Sequence, residues 1–204
     1  MSQAPKQSDI QNVFAMNEPQ HMLSKLFWEI EGLSNAMSVW KDNEQFPEAI
    51  FRAFNTAVTG WHITDWLWQS RPETRAILAK RYGFKFEEGT KAGLRAGLER
   101  FQDAVADASR PLYICREIAN ASKHMRKSKA DPDVKAAAKW HEVIEGAGFV
   151  VPGDLVMHLW ITDGKERRDA IWWFIEAAGY WETLLTSEKL LSADARLPNR
   201  IIRA

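Results

Sequence analysis

The chain has 204 residues, 46% hydrophobic and 26% charged, which is enough apolar bulk to bury a core and excludes general disorder. Its 27 basic residues cancel 27 acidic ones, so no global field can hold a polyanion and a nucleic-acid site has to be a local patch. The single cysteine, Cys115, excludes an intramolecular disulfide and a multi-cysteine zinc site. The polar stretch Met1 to Gln20 and the absence of a long uncharged apolar run predict a soluble cytoplasmic protein with no membrane partner.

Residues 1–16 carry no helical stripe and read as a solvated tail. Order is expected from Asn17, where Pro19 suits a first turn and Leu26, Ile30, Leu33, Met37 and Trp40 recur at helical spacing, predicting a helix over about 19–41. Pro47 opens a second helix to about Gln69, with Ile50, Phe54, Ala57, Trp61 and Trp68 as its apolar stripe. Ser70 followed by Pro72 and Glu73 reads as a capping box, so a short helix starts there and stops at Gly83. A longer helix is predicted from about Glu88 to Ala108. Gly89, Gly93 and Gly97 sit four apart on it, which means either frayed first turns or a neighbouring backbone packed close.

Ser109 and Pro111 start the next helix, with Ile114, Ile118, Ala121 and Met125 on the buried side and a basic run from Lys123 to Lys129 at its end. Asp131 and Pro132 open a brief helical turn rich in lysine and alanine. The periodicity then changes to two, because Leu155, Met157, Leu159 and Ile161 alternate with Val156, His158, Trp160 and Thr162, as in a half-buried strand. Its partner is either 140–144 or 149–151, and Asp163-Gly164 ends it in a tight turn. The last helix carries Ala170, Trp173, Ala177, Trp181 and Leu184, and 192–204 reads as a tail. The expected fold is mainly α: one domain over 17–191, an up-down bundle of about five helices with an antiparallel β-hairpin at about 140–162 before the last helix.

No P-loop, dinucleotide fingerprint, nucleophile elbow, zincin helix or EF-hand loop is present. Two polar constellations remain. His62 and Asp65 lie one helical turn apart within WHITDWLW, which suits a pair of divalent-metal ligands or, as the simpler reading, an Asp65 that accepts from His62 or caps a neighbouring helix in an aromatic setting. On the later helix Arg116, Asn120 and His124 recur every four residues with Glu117 and Lys123 beside them. That face offers a general acid or base and phosphate ligands, or else a solvated helix end whose cations meet the negative pole of the dipole.

A compact bundle whose late helix carries Asn120-Ala-Ser-Lys-His124 resembles the HEPN superfamily of RNA- and nucleotide-associated helical domains, over about residues 20–130. The resemblance implies RNA or nucleotide binding, with ribonuclease activity in the family's catalytic members. On it His124 would be the acid/base group, Arg116 the phosphate-stabilising one, Asn120 their companion, and Lys123 and Glu117 substrate contacts, with a homodimer joining two such faces and no cofactor. In this chain Ala119, not arginine, precedes Asn120, and seven residues separate Arg116 from His124. Two other readings stand beside it: a metal-binding bundle in which His62, Asp65, Glu117 and His124 converge, and a non-catalytic module that oligomerises through its hairpin and tryptophans. Of the ten tryptophans, Trp40, Trp61, Trp68, Trp173 and Trp181 fall on core stripes, whereas Trp28, Trp66, Trp160 and Trp172 do not. His158 and Trp160 share the strand face opposite Leu159 and so await a partner, while Cys115 reads as a small core hydrophobe.

Overall fold

The computed structural model describes residues 18–37, 46–123, 131–142 and 155–191; the side chains at 46–47, 122–123 and 155–156 lie outside that description, as do both predicted tails. Within it the chain runs α1 (Pro19–Met37), α2 (Phe46–Ser70), α3 (Pro72–Arg81), α4 (Lys91–Ala108), α5 (Arg110–Lys123), β1 (Val134–Glu142), β2 (Leu155–Asp163), β3 (Glu166–Asp169) and α6 (Ala170–Ser187). The mainly helical architecture with a small antiparallel sheet before the last helix is the predicted one. No helix among the described residues is long and apolar enough to cross a membrane.

Apart from Phe54 of the α2 stripe, which is 37% exposed, the helical stripes bury as expected. Leu26, Ile30 and Leu33 of α1, Ala57, Trp61 and Trp68 of α2 and Ala170, Trp173, Ala177, Trp181 and Leu184 of α6 all belong to one core. Trp40 lies outside the described residues. Because α2 packs against α1, α5 and α6 together, its buried face is wider than a single stripe, and Thr56, Thr59 and Thr64 are buried as well. Their hydroxyls are satisfied: Thr56 donates to the Arg52 carbonyl, Thr64 to that of Trp61, and Thr59 accepts from Lys25, which also pairs with the buried Glu29. Indole donors lock the layers, Trp181 Nε1 to the Gly60 carbonyl at 2.8 Å and Trp68 Nε1 to that of Leu94 at 2.9 Å.

Three local expectations are corrected. Ser70 does not cap α3; its hydroxyl turns back to the Leu67 carbonyl and closes α2, and Arg71 takes the N-cap place with Pro72 supplying the fixed φ of the first turn. Helix α4 begins at Lys91 rather than near Glu88, because Thr90 caps it by accepting from Gly93 N. A Cβ on Gly93 would overlap the Glu87 carbonyl, and one on Gly97 would overlap the Trp68 ring, so close approach is what these two glycines serve. On α5 the buried residues are Leu112, Ile114, Cys115 and Ala119, while Ala121 is exposed, a rotation toward α2 and α6; Met125 lies outside the described residues.

The largest correction concerns the segment after Pro132. The lysine- and alanine-rich stretch expected as a helical turn is β1, paired with β2 from Val134 opposite Asp163 to Glu142 opposite Leu155. Alanine and lysine favour helix by only a few tenths of a kcal/mol per residue, and a full antiparallel ladder overrides that. A second unexpected strand, β3, pairs Glu166 with Asp163 across a two-residue Gly164-Lys165 turn, where Gly164 has φ +59, so the hairpin is a three-stranded sheet ordered β1-β2-β3. Met157, Leu159 and Ile161 are buried beneath it, and Trp173 Nε1 donates to the Ile161 carbonyl at 3.3 Å. Of the adjacent tryptophans, Trp173 therefore meets the sheet and Trp172 stays half exposed.

Candidate nucleic-acid interface

The predicted face of α5 is partly committed to structure. Arg116 pairs with Asp103 of α4 at 3.1 Å, and its guanidinium lies 4.8 Å from the Tyr113 ring and 5.6 Å from that of Trp61. Arg110 lies 4.3 Å from Tyr113 and forks onto Asp163, with Nε to Oδ2 at 2.7 Å, and onto Asp131 at 3.2 Å. Tyr113 donates to Asp131, and Glu117 accepts the Asp131 backbone N–H at 3.1 Å. The cluster braces α4, α5 and the sheet against one another. These contacts hold the Asp131 carboxyl below its usual range, first through the Asp133 backbone N–H and then through Tyr113. Asn120 is half-buried; the Lys123 side chain and His124 lie outside the described residues.

Asp65 of the proposed metal pair accepts from Gln102 of α4 at 3.4 Å, and the same amide reaches Thr64 at 3.3 Å. Helices α2 and α5 run antiparallel: Gly60 stands opposite Cys115, whereas Ile50 and Phe54 share a groove with Ile118. Each turn of α5 toward Lys123 therefore moves away from His62. Among the described residues no three His, Cys, Asp or Glu side chains are grouped to hold a metal ion. Cys115 is fully buried, and burial pushes its thiol up to about 12, so it stays protonated as a packing group.

The structure gathers a different constellation on the outer face of the sheet. Strand alternation places Lys135, Ala137, Lys139 and His141 of β1, His158, Trp160 and Thr162 of β2, and Arg167 and Asp169 of β3 on the side opposite the buried Leu159. Trp160 and His158 stack at 5.6 Å with ring planes 14° apart, and the Arg167 guanidinium lies 3.8 Å from the Trp160 centroid. Since Arg167 pairs with Thr162, it reaches the indole from the side away from His158. His141 sets its edge against both rings, at 5.2 Å from His158 and 5.4 Å from Trp160. Its Nε2 is shielded from solvent and meets no hydrogen-bond partner among the described residues. Desolvation and then the neighbouring His158, Lys139 and Arg167 push the His141 pKa below its ordinary value.

Charge decides what this face suits. Lys135, Lys139 and Arg167 are exposed, and none forms an ion pair with a described residue. Asp169, the single carboxylate in the three rows, accepts from Ile171 N as the N-cap of α6. The three cations around the two imidazoles repel a metal ion and attract an anion. Reading His158 and Trp160 as a shared outward face anticipated the centre of this cluster. Lys135 and Lys139 were missed because the partner strand, expected at 140–144 or 149–151, lies at 134–142, Arg167 because β3 was not foreseen, and His141 because its companions stand on another strand.

No protein-family model, no curated protein and no solved structure matches the chain.

Proposed function

We propose that the protein binds single-stranded RNA, or a short nucleotide chain of the same chemistry, on the outer face of its sheet. The observation that carries this reading is the stacked Arg167, Trp160 and His158 set between the free cations Lys135 and Lys139. A strand rises about 3.3 Å per residue and strands lie about 4.8 Å apart, so Lys135 to Lys139 spans roughly 13 Å and Lys135 to Arg167 roughly 10 Å. That is room for a few nucleotides, with phosphates on the lysines and a base taking the Trp160 face that Arg167 covers in the free protein. The RNA class is the one that the HEPN resemblance implies, at another place on the molecule. Cleavage through Arg116, Asn120 and His124 draws less support, since Arg116 already holds Asp103 and two aromatic rings.

The test is fluorescence anisotropy with a labelled oligouridylate titrated at several salt concentrations. Three phosphate contacts predict a slope of log K against log salt of about −2, at roughly −0.7 per contact for a single strand. Trp160→Ala is expected to weaken binding by about tenfold, in line with roughly 1–3 kcal/mol per stacked base. Duplex RNA or poly-glutamate competing as well as the single strand, or no binding at low salt, overturns the reading.

A further inference from the structure

The same face contains a feature that simple charge attraction does not use. His141 is packed edge-on into the rings of His158 and Trp160, with Nε2 cut off from solvent and from any hydrogen-bond partner among the described residues. A neutral imidazole can place its unprotonated nitrogen there at modest cost. An imidazolium cannot, because its second N–H would be buried without an acceptor. Among the described residues, the charged or titratable groups acting on this ring have the same sign when protonated: His158 on β2, Lys139 on its own strand and Arg167 on β3. Glu142 follows it on the opposite side of the strand, and Asp169, the carboxylate of the outer rows, caps α6. Proton uptake therefore requires either that the ring leave the cluster or that an anion come to it.

We infer that His141 is a proton-operated switch on the RNA site: neutral, it stays locked against His158 and Trp160; protonated, it swings out, frees the Trp160 and His158 edges, and donates from Nε2 to a phosphate oxygen. This rests on the RNA reading of the preceding section. Linkage fixes the direction. If the proton is held better in the complex than in the free protein, binding tightens as pH falls, and RNA raises the pH at which His141 titrates by the same factor.

The experiment is a pair of titrations on the full chain. In the first, the imidazole and indole resonances of His141 and Trp160 are followed by NMR from pH 8 to pH 5, free and with a saturating octauridylate. The expected result is a His141 midpoint below that of an ordinary histidine in the free protein, shared by the Trp160 ring signals and moved upward by the oligonucleotide. In the second, octauridylate affinity at pH 7.5 and 5.5 is compared in the wild type and in His141→Phe, which keeps a ring in the cluster but takes no proton. At least tenfold tightening in the wild type, cut to threefold or less in the variant, is expected. Oligonucleotide binding with an unmoved His141 midpoint, or equal pH dependence in both proteins, overturns the switch and leaves the RNA site standing. Absence of oligonucleotide binding at every pH overturns the site itself, and the switch with it.

Discussion

Of the regions that set arginine against aromatic rings, two do opposite things with it. At the base of α5, Tyr113 lies within reach of both Arg110 and Arg116, and each guanidinium also has carboxylates in reach: Asp131 and Asp163 for one, Asp103 for the other. On the sheet, Arg167 covers Trp160 with no carboxylate paired to it among the described residues, and Lys135 and Lys139 stand alongside in the same condition. The first region is electrically closed and acts as a brace. The second is open, and its unbalanced charge is what a phosphate chain could complete. In a chain whose total charge is zero, the number of cations is uninformative; where their counter-charges are spent is what separates scaffold from surface.

Charge reversal breaks this contrast most directly. Lys135→Glu, Lys139→Glu and Arg167→Glu together are expected to lower oligouridylate affinity at least a hundredfold at low salt, read by anisotropy, while the melting temperature changes by less than about 2 °C, because all three side chains are exposed. The brace should respond the other way round. Arg110→Met removes a bidentate carboxylate contact and strands Asp163 and Asp131 beside each other, a loss of about 1–2 kcal/mol and so roughly 3–6 °C in melting temperature for a chain of this size, with oligonucleotide affinity unaltered. Arg116→Ala should cost less, about 1 kcal/mol. Its partner Asp103 is 74% exposed, which leaves the contacts with Tyr113 and Trp61 as the main term. A large loss of RNA affinity in Arg116→Ala with normal folding would return the working face to α5.

The helical bundle was legible in the sequence because its signal is local: apolar residues at 3.6 spacing mark α1, α2 and α6 by themselves, and glycine at 83 marks a helix end whatever packs around it. The sheet was legible at β2, where strict alternation from Leu155 to Thr162 needs no partner to be recognised, and in part at its partner, expected at 140–144 or 149–151 and found at 134–142. Lys-Ala-Ala-Ala-Lys reads as helix because intrinsic propensity is all that sequence offers there, and Glu166–Asp169, four charged residues, shows no apolar pattern at all. Both become strands through pairing with β2, a long-range fact. The site on the outer face inherits this: His158 and Trp160 could be placed on one side of a strand, but the cations that give them a purpose come from the part of β1 before residue 140 and from β3, which only the fold reveals. The α5 site had the reverse history. Its spacing is plain in the sequence, and what sequence withheld is that Asp103 of α4 and Asp131 of the approach to β1 arrive to take up Arg116 and the neighbouring groups.

The smallest expected effect tests the two regions against each other through pH. A histidine whose folded pKa is lowered binds fewer protons in the native state than in the unfolded chain, so its contribution to stability is present above the unfolded value near 6.5 and is lost as pH falls below it. For His141 the free protein should therefore become less stable between pH 7 and pH 5, seen as a falling denaturation midpoint, and His141→Phe should flatten part of that slope. The brace does not respond in this window. Asp131 sits below its ordinary 3.8, so what it contributes is present throughout and is lost only in stronger acid, as pH falls through its lowered folded value. Adding saturating oligouridylate should counter the slope between pH 7 and pH 5 by favouring the protonated ring in the complex. A slope that persists unchanged in His141→Phe would place its origin elsewhere and leave the sheet face a site without a proton switch.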